Sequence, residues 1–287
     1  AWGGHFGFHP QLPRHAFQVG ADALITSTHK ALPGYSASAL LLARTTLLSA
    51  ERLEQSFETT HTTSPAGAPL ASIDGVRALL ETRGEELIGK LLSNIHRFKE
   101  MVQAEFPLPI FLYPSDFPEG RFDPSKIVLR VQQLGASGVD IEEDLQAQGI
   151  RVEMADRDTI VFLGTIADTE ADFDHLADVL IPILKKRQEQ RRASAAALSW
   201  SVVPQRATSM REAYFAETEM VSASHAVGRI SADLIAPYPP GVAVVAPGEL
   251  LTKQIVEGLS ASRVAGVRIA YATDSSLATY RVVNQTS

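Results

Sequence analysis

The sequence predicts an α/β fold with more than one domain, and three observations carry that reading. Short apolar runs of strand length alternate with longer stretches whose apolar residues recur at helical spacing. The chain has 287 residues and 45% hydrophobic content, enough for two domains with cores of their own. An Ala- and Ser-rich segment over 193–208 reads as a linker before a smaller unit rich in proline and glycine.

Residues 15–22 read as a short helix ending at Gly20, and 23–26 as a buried strand. The run over 37–43, bounded by Pro33-Gly34 and a charge, is short enough for a second strand. Residues 54–69 hold a proline, a glycine and hydroxyls close together, the composition of a loop. From Leu70 a long amphipathic helix is expected, with Leu80, Leu87, Leu91, Ile95, Phe98 and Val102 on one stripe. Gly84 and Gly89 leave room in it for a bend or a break.

Strands are expected at 109–113 and 127–132. Ser137-Gly138-Val139-Asp140 resembles a helix-start box, for a helix that stops near Gly149. Residues 150–154 and 159–163 then form a hairpin turning through 155–158. Thr169-Glu170-Ala171-Asp172 opens another helix, with Phe173, Leu176, Leu180 and Ile183 on its apolar face. Lys185-Lys186-Arg187 complement its C-terminal dipole. Beyond the linker, residues 237–241 form a rigid proline corner ahead of a strand at 242–246.

A formal charge of −7 argues against nucleic acid as the main partner. The chain has no cysteine, which excludes disulfides, thiolate catalysis and cysteine-ligated zinc and fits a reducing compartment. No apolar run reaches membrane-spanning length and no signal pattern opens the chain, so a soluble cytoplasmic protein is expected.

Lys30 carries the chemistry. It follows an apolar, strand-like stretch, with Ser27, Thr28 and His29 just before it. A lysine so placed can form an imine with an aldehyde cofactor while its neighbours bind that cofactor's phosphate. A surface lysine after a strand is the plain rival. Further segments add to it: Ala1-Trp2-Gly3-Gly4-His5-Phe6, Gly20-Ala21-Asp22, His61-Thr62-Thr63-Ser64-Pro65, Ala71-Ser72-Ile73-Asp74, Gly228-Arg229-Ile230-Ser231-Ala232, Pro237-Tyr238-Pro239-Pro240-Gly241 and Pro247-Gly248-Glu249. In this order and spacing the set resembles the bacterial-type ornithine/lysine/arginine decarboxylases, fold-type-I pyridoxal-phosphate enzymes with an extra C-terminal domain.

The resemblance implies three regions. Residues 1–104 would be the C-terminal part of the cofactor-binding large domain, 105–196 a small α/β domain, and 197–287 a small α+β domain. It implies pyridoxal 5′-phosphate as cofactor, Lys30 as the imine lysine, and Ser27 and His29 on the phosphate. Thr63 and Ser64 would reach the cofactor of a neighbouring copy, making a dimer or higher assembly. Trp2 would lie close to the cofactor, and Glu249 would face the cationic end of the substrate. His29 alternatively anchors a turn, Thr63 and Ser64 cap the next helix, and Glu249 pairs with a local cation. Arg229 reads as a structural ion-pair partner. His5, His9 and Asp22 receive no role.

The activity implied is decarboxylation of arginine, lysine or ornithine to a diamine or agmatine, a carbon–carbon lyase reaction, with Lys30 or His29 returning the proton. The family's usual segment after the imine lysine is replaced here by Ala31-Leu32-Pro33-Gly34-Tyr35-Ser36-Ala37-Ser38. That leaves open another outcome on the same scaffold (aldol-type cleavage, transamination or oxidation) or a non-catalytic regulatory homologue. The aspartate expected to pair with the pyridine nitrogen belongs before Ala1, so the site is expected to be completed by a separate N-terminal half. A two-strand remnant of a large sheet is marginal alone.

Overall fold

The structure is a computed structural model that describes residues 3–44, 46–61, 63–64, 66–189, 202–238 and 241–284. Trp2 and most of the expected linker lie outside the described residues. In chain order the principal elements are β1 (Ala23–Ser27), β2 (Ala39–Ala43), α1 (Ala50–Thr60), α2 (Gly67–Gln103), β3 (Lys126–Arg130), α3 (Gly138–Ala147), β4 (Met154–Ala155), β5 (Thr159–Leu163) and α4 (Glu170–Arg187). After the linker come α5 (Met210–Phe215), β6 (Thr218–Ser222), α6 (Ala223–Ala226), β7 (Ala236–Tyr238), α7 (Lys253–Val264), β8 (Arg268–Ala270) and β9 (Thr279–Val283).

The chain divides into two compact units: Ala1–Arg130, Leu145–Glu153 and Val161–Lys186 form one, and Val131–Asp144, Met154–Ile160 and Arg187–Ser287 the other. In the first, β1 and β2 pair antiparallel with Ile25 opposite Leu41. The chain also forms a three-stranded sheet, not confined to this unit, of order β3-β5-β4. In the second, β6 pairs with β9 and β7 with β8, both antiparallel. No described helix is long and apolar enough to cross a membrane.

A single helix, α2, organises the first unit. Its Val76, Leu80, Ile88 and Leu92 pack with Leu12 and Leu32, while Leu91, Ile95, Phe98 and Val102 extend the buried stripe. The inward residue at its middle is Ile88, with Leu87 only half buried. Gly84 and Gly89 do not break the helix. A Cβ at Gly84 would make only an ordinary contact with Phe8, whereas one at Gly89 would lie 3.3 Å from the His9 ring, so Gly89 lets the 3–18 segment approach closely. Near its end, Lys99 is buried: Nζ donates to the Leu112 carbonyl at 3.0 Å and faces Phe111, Tyr113 and Phe122. Burial pushes this amine down to about 8, against a smaller opposing pull from Asp116.

Several elements differ from the sequence expectation. Residues 54–60 are not loop but the end of α1. Ser49 caps that helix by accepting from the Arg52 N–H, and Glu51 sits in its first turn. The breaker residues begin only afterwards, and Pro69 falls in the first turn of α2, where its missing N–H costs nothing. β1 is not wholly buried, since Ile25 is 67% exposed, and its partner Leu41 on β2 is 49% exposed. Residues 109–113 supply one isolated bridge, Phe111 to Leu129, and the chain after β3 tightens into a 3₁₀ turn at Val131–Leu134. The strand expected over 242–246 is absent; one bridge joins Val245 to Ile235, while β7 takes β8 as its partner. The helix over 15–22 is a 3₁₀ turn at Ala16–Val19, closed as expected by Gly20 in the left-handed region (φ 98°).

Candidate active site

β1 delivers the chemistry-bearing residues. Its last residues turn inward, leaving Thr26, Ser27 and Thr28 buried, His29 half buried and Lys30 exposed at the end of the turn. Ala31 and Leu32 return the chain to the core, and residues 33–38 then fold back over Thr28. Thr28 N–H donates to the Ser38 carbonyl at 3.1 Å, and Gly34 N–H donates to the Thr28 carbonyl at 2.7 Å. A Cβ at position 34 would overlap that carbonyl oxygen, so the reversal requires glycine.

Ser38 holds the turn together. Its hydroxyl donates to the Tyr35 carbonyl at 2.6 Å, so its oxygen accepts from Thr28 Oγ1. The same residue fixes the His29 ring through Nδ1, which lies 3.1 Å from the Ser38 N–H and 2.7 Å from the Ser38 carbonyl. One tautomer accepts from the amide and the other donates to the carbonyl, and either orients the ring equally. The segment over residues 31–38 therefore also positions His29.

The other expected residues divide. Thr63 and Ser64 are exposed between α1 and α2. α2 begins after Ala66 with no side-chain cap bond, so neither hydroxyl is the helix cap that was the plain rival. Glu249 lies in the second unit, half buried, accepting from the Ala246 N–H at 2.7 Å within its own turn. The local cation imagined for it is thus replaced by a backbone amide. Arg229 pairs with Glu219 at 2.7 Å and donates to the Val283 carbonyl at 2.9 Å, a structural role as expected.

Sequence reasoning left His5 without a role, yet it is 3% exposed and sits in a polar cluster. Its Nε2 is 3.1 Å from Ser125 Oγ and 3.3 Å from Asp123 Oδ1, and Lys126 Nζ donates to Asp123 at 2.9 Å. Burial alone would raise the Asp123 carboxyl. The His5 hydrogen bond, the Lys126 charge and the Ser125 hydroxyl outweigh it and hold that carboxyl below the usual range. The only hint in the sequence was the position of this histidine directly after Gly3-Gly4.

Two comparisons of sequence bear on this geometry. The family model described as "Orn/Lys/Arg decarboxylase, major domain" matches residues 1–111, which contain the whole Ser27–Lys30 turn, and "Orn/Lys/Arg decarboxylase, C-terminal domain" matches 187–268. The chain belongs to the ornithine/lysine/arginine decarboxylase family. Within that family, proteins named arginine decarboxylase from Bacillus subtilis and Halalkalibacterium halodurans are 31% and 32% identical over 99% of this chain. The chain spans 59% of the length of each of these relatives. The constitutive lysine decarboxylase of Escherichia coli is 53% identical over 38 residues, 13% of this chain and 5% of that protein.

Among solved structures, lysine decarboxylase A from Pseudomonas aeruginosa matches with a TM-score of 0.79 at 19% identity, over 99% of this chain and 52% of that one. The Escherichia coli constitutive lysine decarboxylase matches with 0.70 at 20% identity, over 91% and 49%. At these identities the match carries the mixed α/β fold of this family.

Proposed function

We propose that this chain supplies part of the active site of a pyridoxal-phosphate-dependent decarboxylase acting on a basic amino acid, with arginine first among arginine, lysine and ornithine. The observation that carries this reading is the turn after β1, where Ser38 locks His29 between a buried Ser27 and an exposed Lys30. The donor set suits the cofactor: a hydroxyl, an imidazole and an ammonium lie within four residues, with no carboxylate among them.

When bound, the cofactor supplies an aldehyde that captures the substrate amine and a protonated ring that accepts the electron pair released with carbon dioxide. Lys30 would hold it through the ε-amine. Ser27 would donate its hydroxyl to the phosphate. With Nδ1 held against the Ser38 peptide group, the His29 Nε2 would be the ring atom that faces the phosphate or the substrate Cα. Lys30 is the other group able to return a proton at Cα. Trp2 would lie beside the cofactor, and Thr63 and Ser64, both exposed, would reach the site of a second copy in a dimer or larger assembly. Glu249 would meet the cationic end of the substrate.

The open face of β1 and β2 supports a further part of the reading. Ile25 and Leu41 lie opposite each other and exposed on one face of a two-stranded sheet, an apolar face that suits covering by other polypeptide, such as an N-terminal half. We divide the chain at 104/105 and 196/197 into large-domain, small-domain and C-terminal parts, and place it in the cytoplasm, which suits a cysteine-free chain.

The test is carbon dioxide release by the full-length protein from arginine, lysine and ornithine, with cofactor absorbance followed in parallel. Lys30→Ala is expected to abolish both turnover and the absorbance of the lysine-bound cofactor. Retained absorbance with no carbon dioxide from any of the three would reject decarboxylation and favour another reaction on the same scaffold. Absorbance unaffected by Lys30→Ala would reject the site.

A further inference from the structure

His5 is a buried imidazole whose nitrogens are treated unequally. Ser125 Oγ donates its proton to Asp123 Oδ1 at 2.7 Å, so it receives one from His5 Nε2 at 3.1 Å. Nε2 therefore carries a hydrogen, and Nδ1 is buried and without a hydrogen-bond partner among the described residues. An apolar residue would fill such a place without an unsatisfied nitrogen. What an imidazole adds is one N–H at a fixed reach to Ser125 and Asp123.

That anchor lies at the end of a short lever. Residues 3–6 form a turn closed by Phe6 N–H to the Gly3 carbonyl at 3.0 Å. Within it, Gly4 packs so closely on the end of β1 that a Cβ would lie 2.9 Å from Leu32, 3.1 Å from Thr26 Oγ1 and 3.2 Å from the Ser27 carbonyl. The backbone on which Ser27 sits is thus walled by the turn that His5 secures. Asp123 in turn is held by Lys126, so the anchor rests on a largely buried ion pair.

We propose that His5 is a positioning residue of the phosphate end of the cofactor site: by fastening the Gly3–Gly4 turn to Ser125 and Asp123, it keeps Gly4 against Thr26 and Ser27 and so directs the Ser27 hydroxyl. The inference rests on the reading of Ser27 as a phosphate ligand.

The experiment compares two probes, pyridoxal phosphate and pyridoxal, titrated into the full-length protein. A phosphate-positioning role affects only the first, whereas general damage affects both. His5→Leu is expected to weaken pyridoxal phosphate about tenfold, the scale of one hydrogen bond, and leave pyridoxal unchanged. His5→Gln, whose amide can replace the Nε2–H, is expected to restore most of the preference for the phosphorylated form. Should His5→Leu fail to fold, Ser125→Ala removes the acceptor instead, with the same sign and a smaller size. An unchanged preference in these variants, or equal weakening of both probes, would overturn the proposal. Ser27→Ala separates the two levels. If it abolishes the preference while His5→Leu keeps it, only the role of His5 fails. If Ser27→Ala also keeps it, the phosphate reading of the turn fails, and the inference fails with it.

Discussion

The β1–β2 hairpin and the segment from residue 202 to 284 are built on opposite terms. The C-terminal segment closes on itself: Ile235, Val245, Leu251, Ile255, Leu259 and Val282 are fully buried in one cluster. The hairpin keeps one face open, and the α1 helix that follows buries no residue at all. Yet the hairpin carries Ser27, His29 and Lys30, while the sealed segment carries one candidate, Glu249. The candidate residues thus sit beside an open apolar face rather than in a sealed core. That is the arrangement expected when a site is assembled from several pieces of chain.

The contrast can be broken most forcefully from its closed side. Leu259→Ala is expected to destabilise the C-terminal segment by about 2–5 kcal/mol, read from its unfolding midpoint in denaturant. The same truncation at the open face, Ile25→Ala, should change the midpoint by less than about 0.5 kcal/mol. Comparable losses at the two positions would show that Ile25 is covered within this chain and would erase the distinction.

A pH series sharpens the picture by testing the closed part of the first unit. Lys99 favours the neutral amine when folded, so the unfolded chain holds the extra proton between about pH 8 and the ordinary lysine value of 10.5. Stability should therefore rise through that window, by roughly 2–3 kcal/mol at most, and stay at its lower level below pH 8. In Lys99→Met that rise should vanish. An unchanged pH slope would mean that the amine is not buried in solution.

Smaller effects probe the turn itself. Gly34→Ala should cost about 1–3 kcal/mol, because the new methyl group displaces the Thr28 carbonyl, and should weaken cofactor binding with it. Ser38→Ala removes the hydroxyl chain from Thr28 to Tyr35 but keeps both backbone contacts to His29, so about 1 kcal/mol is expected, with cofactor affinity nearly preserved. A large loss of affinity in Ser38→Ala would show that the hydroxyl, rather than the peptide group, governs the ring.

Much of this was legible in the residues, and the gaps have physical causes. α2 and α4 announced themselves through apolar periodicity, and β1 and β2 through short apolar runs. α1 escaped because a helix with no buried face has no stripe to detect; its signal was the Ser49 cap alone. The run over 242–246 looks like a strand by composition, but its pairing is confined to the bridge from Val245 to Ile235. At the site, the order of motifs brought out Lys30, His29 and Ser27. Ser38 and His5 stayed hidden because their importance depends on chain reversals and on Ser125, 120 residues away, which no local pattern encodes.

The crowding at Gly34 has a practical corollary for anyone seeking to vary this loop. Diversifying the loop at random would discard most clones at that one codon, whatever they gained elsewhere. Tyr35, next to it, points the other way: it is 61% exposed, and its side chain can be exchanged without disturbing the hinge beneath. The loop thus comes with a fixed pivot and an adjustable tip.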